Sequence, residues 1–283
     1  MKLATFKMAG GAPTWGLVDG EAVLDVGAVL GSRYPTLKSV IVADAFAEVA
    51  AAAAKAKSYS LADITWLPVI PDPDKILCIG LNYETHRKET GRSEVANPTV
   101  FTRFANSQTG HLSPIIRPRV SHDLDFEGEL AIIIGKAGRY IPQGEAWSHI
   151  AGYACYNDGS VRDFQRHTHQ FTPGKNFPGT GAFGPWMMTA DEFAFRKSQR
   201  LQTRVNGQVV QEATFDQMIF DVPRMIEYCS TFTRLEPGDV IATGTPGGVG
   251  AKRTPPLWLK PGDTVEVEID DLGILRNGVA DEA

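Results

Sequence analysis

The stretch Leu124–Lys136, LDFEGELAIIIGK, constrains the fold of this chain more than any other. In a β-strand, alternate side chains point to opposite faces. One face of this stretch is apolar, while the other begins with Asp125, Glu127 and Glu129 before it becomes apolar. Burying a lone carboxylate costs on the order of several kcal/mol or forces its protonation, and a hard divalent cation bound by carboxylate oxygens removes that cost. The pattern therefore predicts one long strand that begins at a metal site. The alternative is an acidic strand end that faces water.

A third carboxylate follows at the end of the next apolar run. Asp158 ends an apolar-to-polar passage, where it can complete a set of oxygen ligands with Glu127 and Glu129. His167 and His169 suggest a different metal site, but a site rich in carboxylate oxygens does not need imidazole. The polar side chains that follow Asp158 and join the candidate site are Arg162, Asp163, Gln165 and Lys175.

Composition restricts the class of protein. Of the 283 residues, 43% are hydrophobic and 22% are charged, as in ordinary globular proteins. The formal net charge is −5 and no block of Lys and Arg stands out, so nucleic-acid binding is not predicted. The three cysteines lie in apolar surroundings without a C-x-x-C pair, which indicates core residues of a reduced, intracellular protein. The N-terminus does not match a signal peptide, and no apolar run approaches the ~20 residues of a membrane helix. We therefore expect a cytoplasmic protein without a membrane partner.

Two parts of the chain differ in character. Residues 2–26 alternate like short strands, and residues 37–56 are rich in Ala and predict one helix or two. The proline-rich segment 67–73 is typical of a stiff linker. We therefore predict a small α+β domain at residues 1–70 and a larger catalytic domain at residues 71–283.

A short polar helix is predicted after the first strand of the larger domain. Strand Lys75–Gly80 runs into a segment in which Asn82 can cap a helix, and that helix would place His86 and Glu89 on one face. A carboxylate that hydrogen-bonds an imidazole orients the ring and raises its basicity. The pair therefore predicts a base that activates water, with a solvated polar helix as the alternative. The polar segment 91–94 that follows is typical of a mobile lid.

The segment 241–250, IATGTPGGVG, is a glycine-rich loop between two Pro-Gly-Asp turns. Its backbone N–H groups and threonine hydroxyls can approach an anion closely. The loop lacks the lysine of a phosphate-binding loop and the glycine spacing of a dinucleotide site. A carboxylate is therefore the anion that we expect it to meet, and a purely structural turn is the alternative.

In their order and spacing these motifs resemble the fumarylacetoacetate hydrolase superfamily in its bacterial two-domain form, from about residue 75 to residue 279. The residues that carry the resemblance are Asn82-Tyr83 with His86 and Glu89; Asp125–Leu130; Asn157-Asp158 with Arg162, Asp163 and Gln165; Gly174-Lys175; Asn206-Gly207; Pro237–Ile241; and Thr243–Pro246 with Gly248–Gly250. The resemblance implies a mainly β, α+β fold whose large domain is a mixed β-roll or sandwich. It also implies a homodimer.

The resemblance implies a role for each candidate residue. A Mg²⁺ or Mn²⁺ ion would be held by Glu127, Glu129 and Asp158. The catalytic residues would be His86 and Glu89, which activate water on a lid, and Lys175 beside the metal. The residues expected to contact the substrate are Tyr83, Arg103, Arg162, Gln165 and Thr245, of which Arg103 stands where many relatives carry Lys. The resemblance leaves the role of Asp125 open, and one role that it could have is a hydrogen bond to a metal-bound water.

The implied substrate is a small 2-oxo acid with a second carbonyl at C4, an acylpyruvate or another 2,4-dioxo acid. The ion would act as a Lewis acid on the carboxylate and 2-oxo oxygens. His86 would activate a water that attacks C4, and Lys175 would stabilise the oxyanion. Cleavage of the C3–C4 bond would leave a pyruvate enolate that the ion stabilises.

Other functions remain open. The same site could decarboxylate oxaloacetate-like acids or isomerise 2-hydroxydienoates, although a water-activating pair favours hydrolysis. A sugar acid such as a 2,4-dioxo-3-deoxyaldonate is a further candidate substrate, because polar residues near 162–170 could bind hydroxyl groups. A non-catalytic binding protein would have lost a metal ligand or the His-Glu pair, and neither is missing.

Overall fold

The computed structural model describes residues 1–283 and is built mainly of β-strands. The strands are β1 (Lys2–Met8), β2 (Thr14–Asp19), β3 (Ala22–Asp25), β4 (Lys57–Ser60), β5 (Ile64–Trp66), β6 (Ile76–Gly80), β7 (Thr99–Arg103), β8 (Gln108–Thr109), β9 (Ile115–Arg117), β10 (Leu124–Asp125), β11 (Gly128–Ile134), β12 (Ile150–Asn157), β13 (Ser160–Val161), β14 (Gly181–Thr189), β15 (Arg200–Val205), β16 (Gln208–Thr214), β17 (Val240–Ala242), β18 (Thr264–Ile269) and β19 (Gly273–Asp281). The helices are α1 (Gly27–Leu30), α2 (Leu37–Val42), α3 (Phe46–Ala53), α4 (Glu84–Thr90), α5 (Arg162–Gln165), α6 (Thr172–Lys175) and α7 (Val222–Phe232). No helix is both long enough and apolar enough to cross a membrane.

Two mixed sheets form the frame of the molecule. The central sheet has the order β4-β3-β2-β1-β14-β12-β11-β17-β6-β7, with β5 paired to β1 and β8 to β14. The second sheet has the order β16-β15-β18-β19-β9. Most neighbours are antiparallel, but β17 runs parallel to β6, β14 to β8 and β19 to β9. The predicted mainly β, mixed-sheet fold is therefore confirmed.

The predicted strand Leu124–Lys136 is divided into β10 and β11. The strand is interrupted because two backbone N–H groups donate to side chains instead of to a neighbouring strand. The N–H of Phe126 donates to the Asp125 carboxylate, and the N–H of Glu127 donates to Asn157 Oδ1. The prediction of one continuous strand was therefore wrong.

The alternation within β11 is confirmed, although both of its faces are buried. Leu130, Ile132 and Ile134 belong to the core shared with the second sheet. Ala131 and Ile133 belong to a separate core, which also contains side chains of α2 and α3. The sheet that carries the acidic residues is thus held from both sides.

The N-terminal strands extend the central sheet instead of forming a sheet of their own. Strand β1 pairs with β14, where Leu3 lies opposite Met187. The Ala-rich segment forms the two helices α2 and α3, which are separated at Asp44, a residue with φ of 49°. The domain division at residue 70 stays a prediction. All three cysteines are free and buried, as expected of core residues.

Candidate active site

Three carboxylates converge where β11 begins and β12 ends. Gly128 lies opposite Asn157 in the β11–β12 pair, so the flanking residues of the two strands are neighbours. One oxygen from each of Glu127, Glu129 and Asp158 lies within 4.8 Å of the others. All three side chains are buried, with residue exposures of 5%, 2% and 0%. The structure thus brings together the carboxylates that the sequence singled out.

The charges of this cluster fit a divalent cation. Burial raises the pKa of Glu129 well above its usual range, and the neighbouring carboxylates of Asp158 and Glu127 raise it further. The only hydrogen bond to the Glu129 carboxylate comes from the backbone N–H of Gly244, at 2.9 Å. A buried carboxylate beside two others, with no basic side chain of its own, gains from a cation bound between them. Three hard oxygen donors suit Mg²⁺ or Mn²⁺.

Lys175 lies directly beside two of these carboxylates. Its Nζ atom is 2.8 Å from Glu127 Oε2 and 2.6 Å from Asp158 Oδ2. Burial lowers the pKa of Lys175, but the carboxylates of Asp158 and Glu127 outweigh burial and hold that pKa above its usual value. These carboxylates therefore favour the charged form of Lys175. Burial raises the pKa of Glu127, but the positive charges of Lys175 and Arg162 lower it by more. The pKa of Glu127 therefore lies below its usual value.

Arg162 is the second cation of the cluster. Its Nη1 atom lies 2.6 Å from Glu127 Oε1 and 2.9 Å from Gln165 Oε1, and its Nε atom donates to Asp125. Its Nη2 atom is buried and has no partner within the chain. Arg162 also lines the cavity described below.

Asp125 has a structural task that the sequence did not reveal. Its two carboxylate oxygens accept hydrogen bonds from the backbone N–H groups of Phe126, Gly250 and Ala251 and from Arg162 Nε. The side chain is completely buried. Asp125 therefore links Arg162 to the glycine-rich loop.

His86 and Glu89 form the pair that was predicted on helix α4. His86 Nδ1 lies 2.7 Å from Glu89 Oε1. The cap of the helix differs from the prediction, because the N-cap residue is Tyr83 and no side chain caps it. Asn82 was wrongly expected there: its amide donates to the carbonyls of Phe220 and Thr243 and so joins α4 to the rest of the domain.

The glycine-rich loop binds carboxylates, but they are carboxylates of this chain. The N–H groups of Gly244, Gly248 and Gly250 donate to Glu129, Glu89 and Asp125, respectively. Gly244 and Gly248 have φ of +100° and +106°, which favours glycine at both positions. The loop therefore positions three acidic side chains of the site.

Thr245 is held from the second sheet by a residue that sequence reasoning missed. Thr245 Oγ1 donates to the carbonyl of Gly128 at 2.9 Å and accepts from Gln211 Nε2 at 2.7 Å. Gln211 also accepts the N–H of Gly128 at 3.0 Å. Gln211 thereby fixes Gly128, which lies between the candidate metal ligands Glu127 and Glu129. A glutamine in an alternating hairpin strand carries no sequence signal of this role.

One cavity of about 890 Å³ opens onto this cluster. The predicted site residues that line it are His86, Glu127, Glu129, Arg162, Gln165, Lys175 and Thr245. Arg103 and Tyr83 are not among its lining residues and are buried, with exposures of 2% and 0%. Arg103 Nη1 lies 2.6 Å from Asp158 Oδ1 and also donates to the Gly159 carbonyl. Arg103 therefore holds Asp158 in place and is not part of the cavity wall. Tyr83 is the N-cap residue of helix α4.

Buried carboxylates, a lysine and a histidine that is hydrogen-bonded to Glu89 lie around one cavity and define a candidate metal-dependent enzyme site. Residues 75–280 match the model of the fumarylacetoacetate (FAA) hydrolase C-terminal family. The chain therefore belongs to the fumarylacetoacetate hydrolase family, as the sequence motifs indicated.

Individual relatives carry several activities. The chain is 40% identical over 219 residues to the mitochondrial oxaloacetate tautomerase FAHD2A of Bos taurus, a match covering 77% of this chain and 70% of that protein. The crystal structure of a putative HpcE protein from Mycobacterium smegmatis matches with a TM-score of 0.87 and 33% identity over 100% of both chains. Maleylpyruvate hydrolase from Sphingobium sp. SYK-6, solved with manganese(II) and pyruvate, matches with a TM-score of 0.83 and 28% identity over 100% of both chains.

Proposed function

We propose that this chain is a Mg²⁺- or Mn²⁺-dependent enzyme that moves a proton at C3 of a 2-oxo acid, with keto–enol tautomerisation of oxaloacetate as the first reaction to test. The observation that carries the proposal is the position of His86, which is held by Glu89 and lines the same cavity as Glu127 and Glu129 of the carboxylate cluster. The 40% identity to an oxaloacetate tautomerase supports this reaction ahead of the hydrolysis expected from the motifs.

Glu127, Glu129 and Asp158 would hold the ion, which would supply a Lewis acid for negative charge on the C2 oxygen. His86 is the base that takes the proton from C3 and delivers it to the C2 oxygen to form the enol, or carries it in the reverse direction to form the keto acid, because Glu89 fixes its ring and raises its basicity. Arg162 lines the cavity, and its guanidinium would attract the substrate carboxylate. Lys175 lies beside Glu127, and its ammonium group would add positive potential near the C2 oxygen and the carboxylate of the substrate.

Hydrolysis of a 2,4-dioxo acid is the second candidate, and the match to maleylpyruvate hydrolase favours it. Here His86 would take a proton from water while the water oxygen attacks C4, and Lys175 remains the candidate to stabilise the oxyanion. The C3–C4 bond then breaks with its electron pair on C3, which is protonated to give pyruvate. Decarboxylation of oxaloacetate needs no such water and would release CO₂ and pyruvate.

One set of assays separates these reactions. Enol oxaloacetate is followed by ultraviolet absorbance with Mg²⁺, Mn²⁺ or EDTA, and product NMR distinguishes ketonisation from decarboxylation to pyruvate. Acetylpyruvate is tested in parallel for metal-dependent formation of acetate and pyruvate. We expect metal-dependent ketonisation that His86→Ala abolishes while metal binding is retained. If no substrate reacts faster with metal than with EDTA, the proposal is wrong.

The assembly and location are also proposals. The family resemblance supports a homodimer, which light scattering of the purified protein tests. A cytoplasmic location is in keeping with three free, buried cysteines.

A further inference from the structure

Arg253 is a cation whose hydrogen bonds go to backbone carbonyls. It follows the glycine-rich loop, and its Nε atom donates to the carbonyl of Gly248 at 3.0 Å. Its Nη2 atom donates to the carbonyl of Val210 in strand β16 at 2.6 Å. Arg253 forms no ion pair with a carboxylate within 4.0 Å. Because hydrogen bonds from a charged group are stronger than neutral ones, Arg253 joins the loop firmly to β16.

A β-bulge brings Val210 to the loop. Strand β16 lies at the edge of the second sheet and pairs there with β15. Gln211 lies opposite Thr203 and Val209 lies opposite Arg204, so Val210 is an extra residue without a partner in the register. Bulges often occur next to active sites, where they redirect a residue of the strand. Here the bulge supplies the carbonyl that fixes the guanidinium in place.

Gly248 is held through both of its backbone groups. Its carbonyl accepts the bond from Arg253, and its N–H donates to Glu89 Oε2 at 2.9 Å. A glycine at a φ of +106° has no side chain that could pack and hold this conformation. Restraint of the carbonyl therefore also limits the directions in which the N–H can point.

The Glu89 carboxylate depends on Gly248 for its position. It has two hydrogen-bond partners in the chain, the N–H of Gly248 and His86 Nδ1, which lies at 2.7 Å. The side chain of Glu89 is 22% exposed, so water competes for its oxygens. Without the bond to Gly248 the carboxylate could turn toward water and leave the imidazole.

We propose that Arg253 is a positioning residue for the imidazole of His86. Its guanidinium fixes the backbone of Gly248, which holds the Glu89 carboxylate, and this carboxylate orients the ring. Arg253 is not among the residues that line the cavity, so it acts through these bonds and not on the substrate. The inference rests on the proposed function for one point, the role of His86 as the base.

Nitrogen-15 NMR of the histidine side chains in the full chain tests this positioning without an assay of turnover. At alkaline pH, where imidazole is neutral, Glu89 should keep the proton of His86 on Nδ1. We expect Arg253→Met to lower the fraction of this tautomer toward that of Glu89→Ala, and His86→Gln assigns the signal. Arg253→Lys keeps the charge but lacks the planar fork, so its tautomer fraction should be intermediate. It carries the same test if Arg253→Met does not fold.

Arg196→Met is the matched control. Arg196 also donates to a backbone carbonyl, that of Ala194, but it bonds neither the glycine-rich loop nor helix α4. Its substitution should leave the tautomer of His86 unchanged.

A double-mutant cycle separates positioning from a general loss of stability. Arg253→Met should lower the turnover of oxaloacetate about tenfold without a change in KM. In the Glu89→Ala background it should cause no further loss, because the residue through which it acts is gone. Its effect on unfolding in urea should be the same in both backgrounds. Affinity for Mg²⁺ or Mn²⁺ should stay within about twofold of the wild type, since Gly244 still binds Glu129.

Two results would overturn the inference: a wild-type tautomer fraction in Arg253→Met, or an equal loss of turnover with and without Glu89. Failure of the proposed function has a different signature. In that case Arg253→Met shifts the tautomer as expected, but His86→Ala turns over oxaloacetate as fast as the wild type. Arg253 then positions His86, and His86 is not the base.

Discussion

The backbone N–H of Gly248 donates a hydrogen bond of 2.9 Å to Glu89 Oε2, so the glycine-rich loop holds the carboxylate that orients His86. A second bond joins the same elements, from the N–H of Gly247 to Thr85 Oγ1 at 3.0 Å. The loop also binds Glu129 through Gly244. One loop thus sets the position of helix α4 relative to the carboxylate cluster, although the helix and the cluster are far apart in sequence.

Glu89→Gln tests the charge of this carboxylate. Gln keeps an oxygen for the N–H of Gly248 but removes the negative charge that raises the basicity of His86. We expect turnover to fall about 100-fold or more, while metal affinity and melting temperature stay near those of the wild type. Glu84→Gln is the matched control on the same helix, because Glu84 pairs with Arg87, whereas Glu89 bonds His86. Unchanged turnover in Glu89→Gln would remove the pair from the mechanism.

Gly248→Ala tests whether the loop tolerates a side chain. With φ of +106°, a Cβ at this position would lie 2.2 Å from the carbonyl oxygen of Val210. We expect the free energy of unfolding to fall by more than about 2 kcal/mol, since backbone strain and a steric clash add together. Gly207→Ala is the control, because its φ is +78° and a Cβ there meets nothing within 4 Å. That variant should lose only about 1–2 kcal/mol. Equal losses in urea unfolding of the two variants would contradict the clash.

Glu129→Gln and Glu127→Gln should differ in the metal-free protein. Glu129 has no cationic partner and its pKa is raised by burial and by Asp158, so removal of its charge should leave the metal-free protein as stable as the wild type or more so. Glu127 pairs with Lys175 and Arg162, and its substitution should cost about 3–5 kcal/mol. Both variants should lose metal affinity by at least about 100-fold and with it the stabilisation by Mg²⁺ or Mn²⁺ in thermal unfolding. If either variant binds Mg²⁺ or Mn²⁺ as tightly as the wild type does, the substituted residue is not a metal ligand.

The parts of the site that the sequence predicted depend on short spacings. His86 and Glu89 are three residues apart, so helical geometry alone brings them together. Glu127 and Glu129 are two residues apart in an extended segment, and Asp158 was predicted as the third ligand because it ends the next apolar run. The alternation of β11 was predictable for the same reason, since it depends only on the period of a strand.

The parts that the sequence did not predict depend on distant contacts. Gln211 lies in the second sheet and bonds Thr245 in the glycine-rich loop. Arg103 bonds Asp158, which is 55 residues away in the sequence. Asn82 has the residue type of a helix cap but uses its amide for tertiary hydrogen bonds. No local pattern distinguishes these uses, because each depends on which polar groups the fold places opposite the side chain.

Asp125→Asn tests the anchor between Arg162 and the glycine-rich loop. Asp125 accepts two bonds through each oxygen, and an amide nitrogen in place of Oδ2 can accept neither the Ala251 N–H nor Arg162 Nε. We expect a loss of about 3–5 kcal/mol in urea unfolding, because the buried guanidinium keeps its charge and loses a partner. Asp163→Asn, on a partly buried neighbour that accepts from Ser121 and Phe164, should cost less than about 1 kcal/mol. Adding Arg162→Met to Asp125→Asn removes the stranded charge and should restore part of the stability, whereas simple additivity of the two losses would show that the pair does not act as a unit.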